Sequence, residues 1–116
     1  VMAEIELRAG AARATIAPGR GAAVTGLWLG DVPVLRPAGG PTGKGPFSVS
    51  SIVLAPFSNR VSRPFPWQGG VVALERNMET EAFPIHGDAF QRRWEVSEQS
   101  AARVVMMVAA SSRSSS

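Results

Sequence analysis

Polar and apolar residues alternate with a period of two along most of the chain, the pattern of strands with one buried face. Near the start, Ala3, Ile5 and Leu7 fall on one side while Glu4, Glu6 and Arg8 fall on the other. Ala12, Ala14 and Ile16 repeat the alternation against Arg13 and Thr15. Further strands are predicted over residues 22–29, 32–35, 50–54, 70–75, 93–97 and 103–109. No stretch carries convincing helical periodicity. About eight short strands separated by turns predict an all-β protein, an antiparallel β-sandwich or barrel.

Composition supports that reading. Twelve glycines and nine prolines in 116 residues leave little room for helices. Residues 37–46 hold seven Gly or Pro and are expected to form a loop, and the Ser-rich residues 111–116 a flexible tail. The length allows one small domain, expected over residues 1–110 with the tail at 111–116. Because that tail follows directly on a strand-like run, 104–110, the sheet is expected to be left unfinished, with unpaired edges open to self-association. The longest apolar run, 104–110, is far below the roughly 20 residues of a membrane span. The first eight residues include two glutamates, unlike a secretory signal. The expectation is a soluble, cytoplasmic domain with no membrane partner. There is no cysteine, hence no disulfide framework, thiol nucleophile or Cys-ligated zinc. The net charge is +3, but the eleven arginines are scattered and only Arg92-Arg93 are adjacent, so no nucleic-acid partner is expected.

Two glycine-rich stretches imitate nucleotide motifs and fail their context. Gly39-Gly40-Pro41-Thr42-Gly43-Lys44 has Ala38 where a phosphate-binding loop needs glycine, and Gly45-Pro46 where it needs Ser or Thr and a helix. Gly19-Arg20-Gly21 is followed by Val24 and a predicted strand, so it reads as a turn. His86 is the only histidine, and no Gly-x-Ser-x-Gly elbow is present. One histidine among scattered acids supplies no metal-ligand spacing.

The informative polar residues lie between positions 53 and 96. Asn59 and Arg60 end an apolar, proline-bounded run. His86 follows Phe83-Pro84-Ile85 and precedes Gly87, which permits close backbone approach. Arg60 offers a fork of donors, Asn59 a donor and an acceptor, and His86 either one near neutral pH. With Phe57, Trp67 or Trp94 as an apolar wall, such groups suit a sugar. Local sequence leaves other readings open: a hydrogen-bonded structural histidine, and a turn with a surface ion pair at Asn59-Arg60. The tryptophans also fit a core. Glu75, Glu79 and Glu81 read as a solvated edge.

The ordered set Leu54-Ala55-Pro56-Phe57-Ser58-Asn59-Arg60-Val61, Gly69, Asn77, Ile85-His86-Gly87 and Trp94-Glu95-Val96 resembles the aldose 1-epimerases, or galactose mutarotases. Ala14-Thr15-Ile16-Ala17-Pro18, Leu27-Trp28-Leu29-Gly30 and Pro33-Val34-Leu35-Arg36 extend the resemblance over nearly all the chain. It implies a galactose mutarotase-like supersandwich, of which this is the N-terminal part. It also implies interconversion of the α and β anomers of a free aldohexose, galactose or glucose, with no cofactor. Asn59, Arg60 and His86 match the residues that hold the sugar. The family's general-acid histidine and general-base glutamate have no match here and are expected beyond Ser116, so the chain alone is expected to be inactive. The alternative is a non-catalytic carbohydrate-binding or structural β-domain.

Overall fold

Alternation in the N-terminal third produces a four-stranded antiparallel sheet in the order β1 (Ile5–Ala9), β2 (Ala12–Ala17), β3 (Ala23–Leu29), β4 (Val32–Leu35). The computed structural model describes residues 3–39 and 48–109. The predicted tail and residues 40–46 of the predicted loop, which hold all of the imitation phosphate loop but Gly39, lie outside the described residues. The register places Glu6 and Arg8 of β1, Arg13 and Thr15 of β2, and Trp28 of β3 on one face. There the Arg13 guanidinium stacks on the Trp28 ring at 3.9 Å, and Glu6 pairs with Arg8 and Arg13. This contact joins neighbouring strands through a cation and an aromatic face. A bulge between Thr15 and Ile16 accommodates Thr25, whose buried hydroxyl lies 2.7 Å from that of Thr15.

Beyond the end of β4, other segments take over the free edge of β3. The Thr25 carbonyl accepts from the Ala38 N–H, and Val24 exchanges hydrogen bonds with Ser51. The strand predicted at 50–54 is therefore only a bridge at Ser51. With β4 along Leu27–Leu29 and Ala38 at Thr25, Val24 is what remains for this segment to pair with. β4 itself is an edge strand, which suits Pro33, a residue without an N–H to donate.

The remaining strands form two hairpins, β5 (Phe65–Trp67) with β6 (Gly70–Val72), and β7 (Glu95–Gln99) with β8 (Val104–Met107). Two 3₁₀ turns, Pro18–Arg20 and Ala89–Gln91, are the only helical elements among the described residues. The all-β antiparallel class read from the sequence is the class observed. No helix among the described residues is long and apolar enough to cross a membrane.

The chain divides into two compact units. The first holds Val1–Val53 with Phe90–Val108 and contains the four-stranded sheet and the β7–β8 hairpin. Ile16, Ala17, Ala22, Ala23 and Phe90 are its buried apolar residues. Gly21 packs against the Phe90 backbone, leaving no room for a Cβ, and its N–H donates to the Arg92 carbonyl at 2.9 Å. The second unit, chiefly Leu54–Ala89, contains the β5–β6 hairpin and two irregular segments laced by isolated bridges. Ile85 and Ala89 are its buried apolar residues. Burying the Ile85 side chain contributes about 2 kcal/mol and anchors the residue that precedes His86.

Candidate functional site

Proline and glycine interrupt both segments of the second unit, so neither builds a regular strand. Residues 55–61 and 84–89 instead meet through two bridges, Arg60 with Ile85 antiparallel and Ala55 with Gly87 parallel. The Val61 N–H donates to the Pro84 carbonyl at 3.0 Å, and the Asp88 and Ala89 N–H groups donate to the Ala55 carbonyl at 3.1 and 3.2 Å. The close approach signalled by Gly87 is to this same carbonyl: a Cβ there would collide with Ala55 and Pro56 backbone atoms.

All three sequence-nominated residues come together on this ladder. The His86 N–H donates to the Asn59 carbonyl at 2.8 Å, and the Asn59 N–H donates back to His86 Nδ1 at 3.1 Å. Asn59 Oδ1 accepts from the Arg60 N–H at 3.0 Å and from Arg60 Nη1 at 3.2 Å. Asn59 and His86 both adopt left-handed backbone, with φ of +85° and +63°. Asparagine and histidine are both among the non-glycine types enriched in that region, yet each carries a steric cost that glycine does not. Two such residues bonded to each other form a strained pair held by its surroundings, a pattern concentrated at ligand sites.

Two further residues complete the cluster. Glu81, read from sequence as part of a solvated edge, accepts from Arg60 Nε at 2.6 Å. The Arg60 side chain is 48% exposed and that of Glu81 24%, so the pair is near the surface but not freely solvated. The surface ion pair anticipated at Asn59-Arg60 is therefore present. It occupies Nε, while Asn59 occupies Nη1. The hydrogen bond from Arg60 holds the Glu81 carboxyl below the usual carboxylate range, assisted by the charges of Arg60 and His86. Asn77, quoted above only as part of a pattern, has its carboxamide on the backbone of Ile85 and Gly87 at 2.8–2.9 Å.

The three tryptophan and phenylalanine candidates for a wall lie in different elements. Trp67 lies in β5 and is 61% exposed. Trp94 belongs to the first unit, where its N–H donates to the Pro18 carbonyl at 2.8 Å. Phe57 is half-buried in the second unit. Along the ladder, Val61, Ser62, Arg63, Leu74, Phe83 and Pro84 line a shallow cavity of about 110 Å³. That is below the ~300 Å³ of an ordinary small-molecule pocket. Among the described residues, no three His, Asp or Glu gather as a metal site requires.

Because the Glu81 carboxyl is held low in the folded protein, its pairing with Arg60 is fully formed at neutral pH and is lost as pH falls through that lowered value. In a carboxyl-resolved NMR titration, Glu81 is expected to protonate below the usual carboxylate range, with the Arg60 Nε–H signal moving in the same step. Protonation of Glu81 within the usual carboxylate range would show that the ion pair does not persist in solution.

The family model for aldose 1-epimerase matches residues 3–114. The uncharacterised protein YphB of Escherichia coli strain K12 is 37% identical over 77 residues, covering 66% of this chain and 26% of that protein. A crystal structure of a candidate aldose 1-epimerase from Escherichia coli K12 superposes with a TM-score of 0.81 at 31% identity. That of the Slr1438 protein from Synechocystis sp. PCC 6803 gives 0.67 at 24% identity and shows the fold alone. Each alignment covers 91% of this chain and 36% of the solved one, so the chain spans about a third of the length of these structures. The fold, the ordered motifs and the match across residues 3–114 agree: the chain belongs to the aldose 1-epimerase family.

Proposed function

We propose that Asn59, Arg60 and His86 form the sugar-holding part of an aldose 1-epimerase site, for a free aldohexose such as galactose or glucose. The observation that carries this reading is the reciprocal pairing of Asn59 and His86 in left-handed backbone, with Arg60 fixed beside them. The arrangement presents an arginine fork, a carboxamide and an imidazole within one cluster. Such groups satisfy the hydroxyl and ring oxygens of a pyranose, each of which accepts hydrogen bonds.

Anomer interconversion needs two proton transfers. A base takes the proton from the C1 hydroxyl as an acid protonates the ring oxygen, and the C1–ring oxygen bond breaks to give the open-chain aldehyde. Rotation about C1–C2 and closure, with both transfers reversed, yields the other anomer. The contribution proposed for Asn59, Arg60 and His86 is to orient the ring and stabilise charge developing on its oxygens. The one histidine in the chain's 116 residues belongs to this holding set, and the cluster's one glutamate, Glu81, is engaged by Arg60. The chain by itself therefore binds sugar without turning it over.

Two measurements test this. Galactose or glucose at about ten times its Kd is expected to stabilise the chain by ~1.4 kcal/mol, read as a rise in melting temperature. Polarimetry of freshly dissolved α-galactose is expected to show no acceleration of the change in rotation. No melting shift with either sugar would remove the binding assignment. Acceleration by the wild-type chain that His86→Ala abolishes would overturn the inactivity.

A further inference from the structure

With His86 assigned to the sugar site as above, we propose that Asn77 is a positioning residue that fixes the backbone turn and the tautomer of His86. Its carboxamide grips the backbone on both sides of that histidine. Asn77 Oδ1 accepts from the Ile85 N–H at 2.9 Å, and Nδ2 donates to the Ile85 and Gly87 carbonyls, each at 2.8 Å. The residue between them, His86, has φ of +63°, and Gly87 follows at +66°. Gly87 adopts that backbone without a Cβ penalty, but left-handed backbone at His86 has a cost. The grip meets that cost with hydrogen bonds that exist only while the turn is closed.

The chemical consequence lies at the imidazole. With the turn closed, Nδ1 accepts from the Asn59 N–H at 3.1 Å, so the neutral ring carries its proton on Nε2. His86 then presents an Nε2–H donor in a set direction, and an open turn would release both direction and tautomer. The geometry also explains why the residue is asparagine. Aspartate could accept from Ile85 N–H but could not donate to two carbonyls, and its charge would repel them. Glutamine would displace the carboxamide by one methylene.

His86 is the only histidine, so nitrogen-15 NMR of the full chain reads one imidazole without overlap. The wild type is expected to show an unprotonated, acceptor-type Nδ1 and a protonated Nε2. In Asn77→Asp and Asn77→Ala, the ring nitrogens are expected to move toward the values of free histidine. Exchange of the Asn59 amide should accelerate on the order of tenfold, the loss of about one hydrogen bond. The amides of β2 and β3 should keep their wild-type protection, and galactose affinity should fall on the order of tenfold. A wild-type ring protonated on Nδ1 would overturn the proposal, as would an unchanged imidazole and Asn59 amide in a folded variant. Global unfolding of both variants would also overturn it, in favour of a purely structural role. If the wild type binds no sugar while the imidazole responds as stated, the sugar assignment fails and the positioning role stands.

Discussion

Gly87→Ala is expected to abolish sugar binding and to destabilise the second unit by about 3 kcal/mol. A methyl group there would overlap the Ala55 carbonyl and the Pro56 nitrogen, which are backbone atoms and cannot swing aside as a flexible side chain would. The same carbonyl accepts from Asp88 and Ala89, and the Gly87 carbonyl accepts from Asn77, so displacement opens several bonds together. To this is added the cost of φ at +66° for a residue with a Cβ. Gly69→Ala is the matched control. Its φ is +80°, but open space surrounds the added methyl, so only the backbone cost of about 1 kcal/mol should appear. Urea unfolding followed by amide signals from residues 55–61 measures both variants. Equal destabilisation by the two would mean that the contact between Ala55 and Gly87 does not close in solution.

Arg60→Lys is expected to weaken galactose binding about a hundredfold, the loss of two charge-assisted hydrogen bonds, while leaving the fold intact. Lysine keeps the charge and discards the fork. It cannot hold Glu81 through Nε and Asn59 Oδ1 through Nη1 while presenting a further donor to a ligand. The ion pair is near the surface, where such pairs add little to folding, so the melting temperature should scarcely move. Glu81→Gln should show a smaller loss of affinity, since its carbonyl can still accept from Arg60 Nε. Calorimetric titration with galactose separates these variants. Wild-type affinity in Arg60→Lys would exclude Arg60 from the sugar site.

Much of the fold is legible in the sequence, and the exceptions have identifiable causes. β1 follows the alternation, with Ile5 and Leu7 half-buried and Glu6 and Arg8 exposed, and the β1–β2 and β3–β4 turns are two residues long, whereas β4 is exposed from Val32 to Val34 and is held by its pairing with β3. β5 is missed because Phe65-Pro66-Trp67 is short and has a proline at its centre, a sequence that reads as a break. The segment 50–54 fails in the opposite sense. Its pattern suits a strand, but partners are set by the sheet, and the edge of β3 is mostly taken.

At the candidate site, residue types and Gly87 were informative, whereas long-range pairing was not. Nothing local distinguishes Glu81 from Glu79, since the arginine that selects it lies 21 positions away. Asn77 binds backbone atoms eight and ten positions ahead, in a turn whose left-handed φ no local pattern announces. An asparagine preceding Ile-His-Gly is a signal in hindsight only because the carboxamide matches one N–H and two carbonyls of a tight turn.

The most direct test of the sugar assignment is a galactose titration of the isotopically labelled chain, followed through backbone amides, the Arg60 Nε–H and the His86 ring. The expected result is a saturable response concentrated at Asn59, Arg60, His86 and their partners Asn77 and Glu81, with the β1–β4 sheet unmoved. A saturable response elsewhere, or none at any sugar concentration, would contradict it.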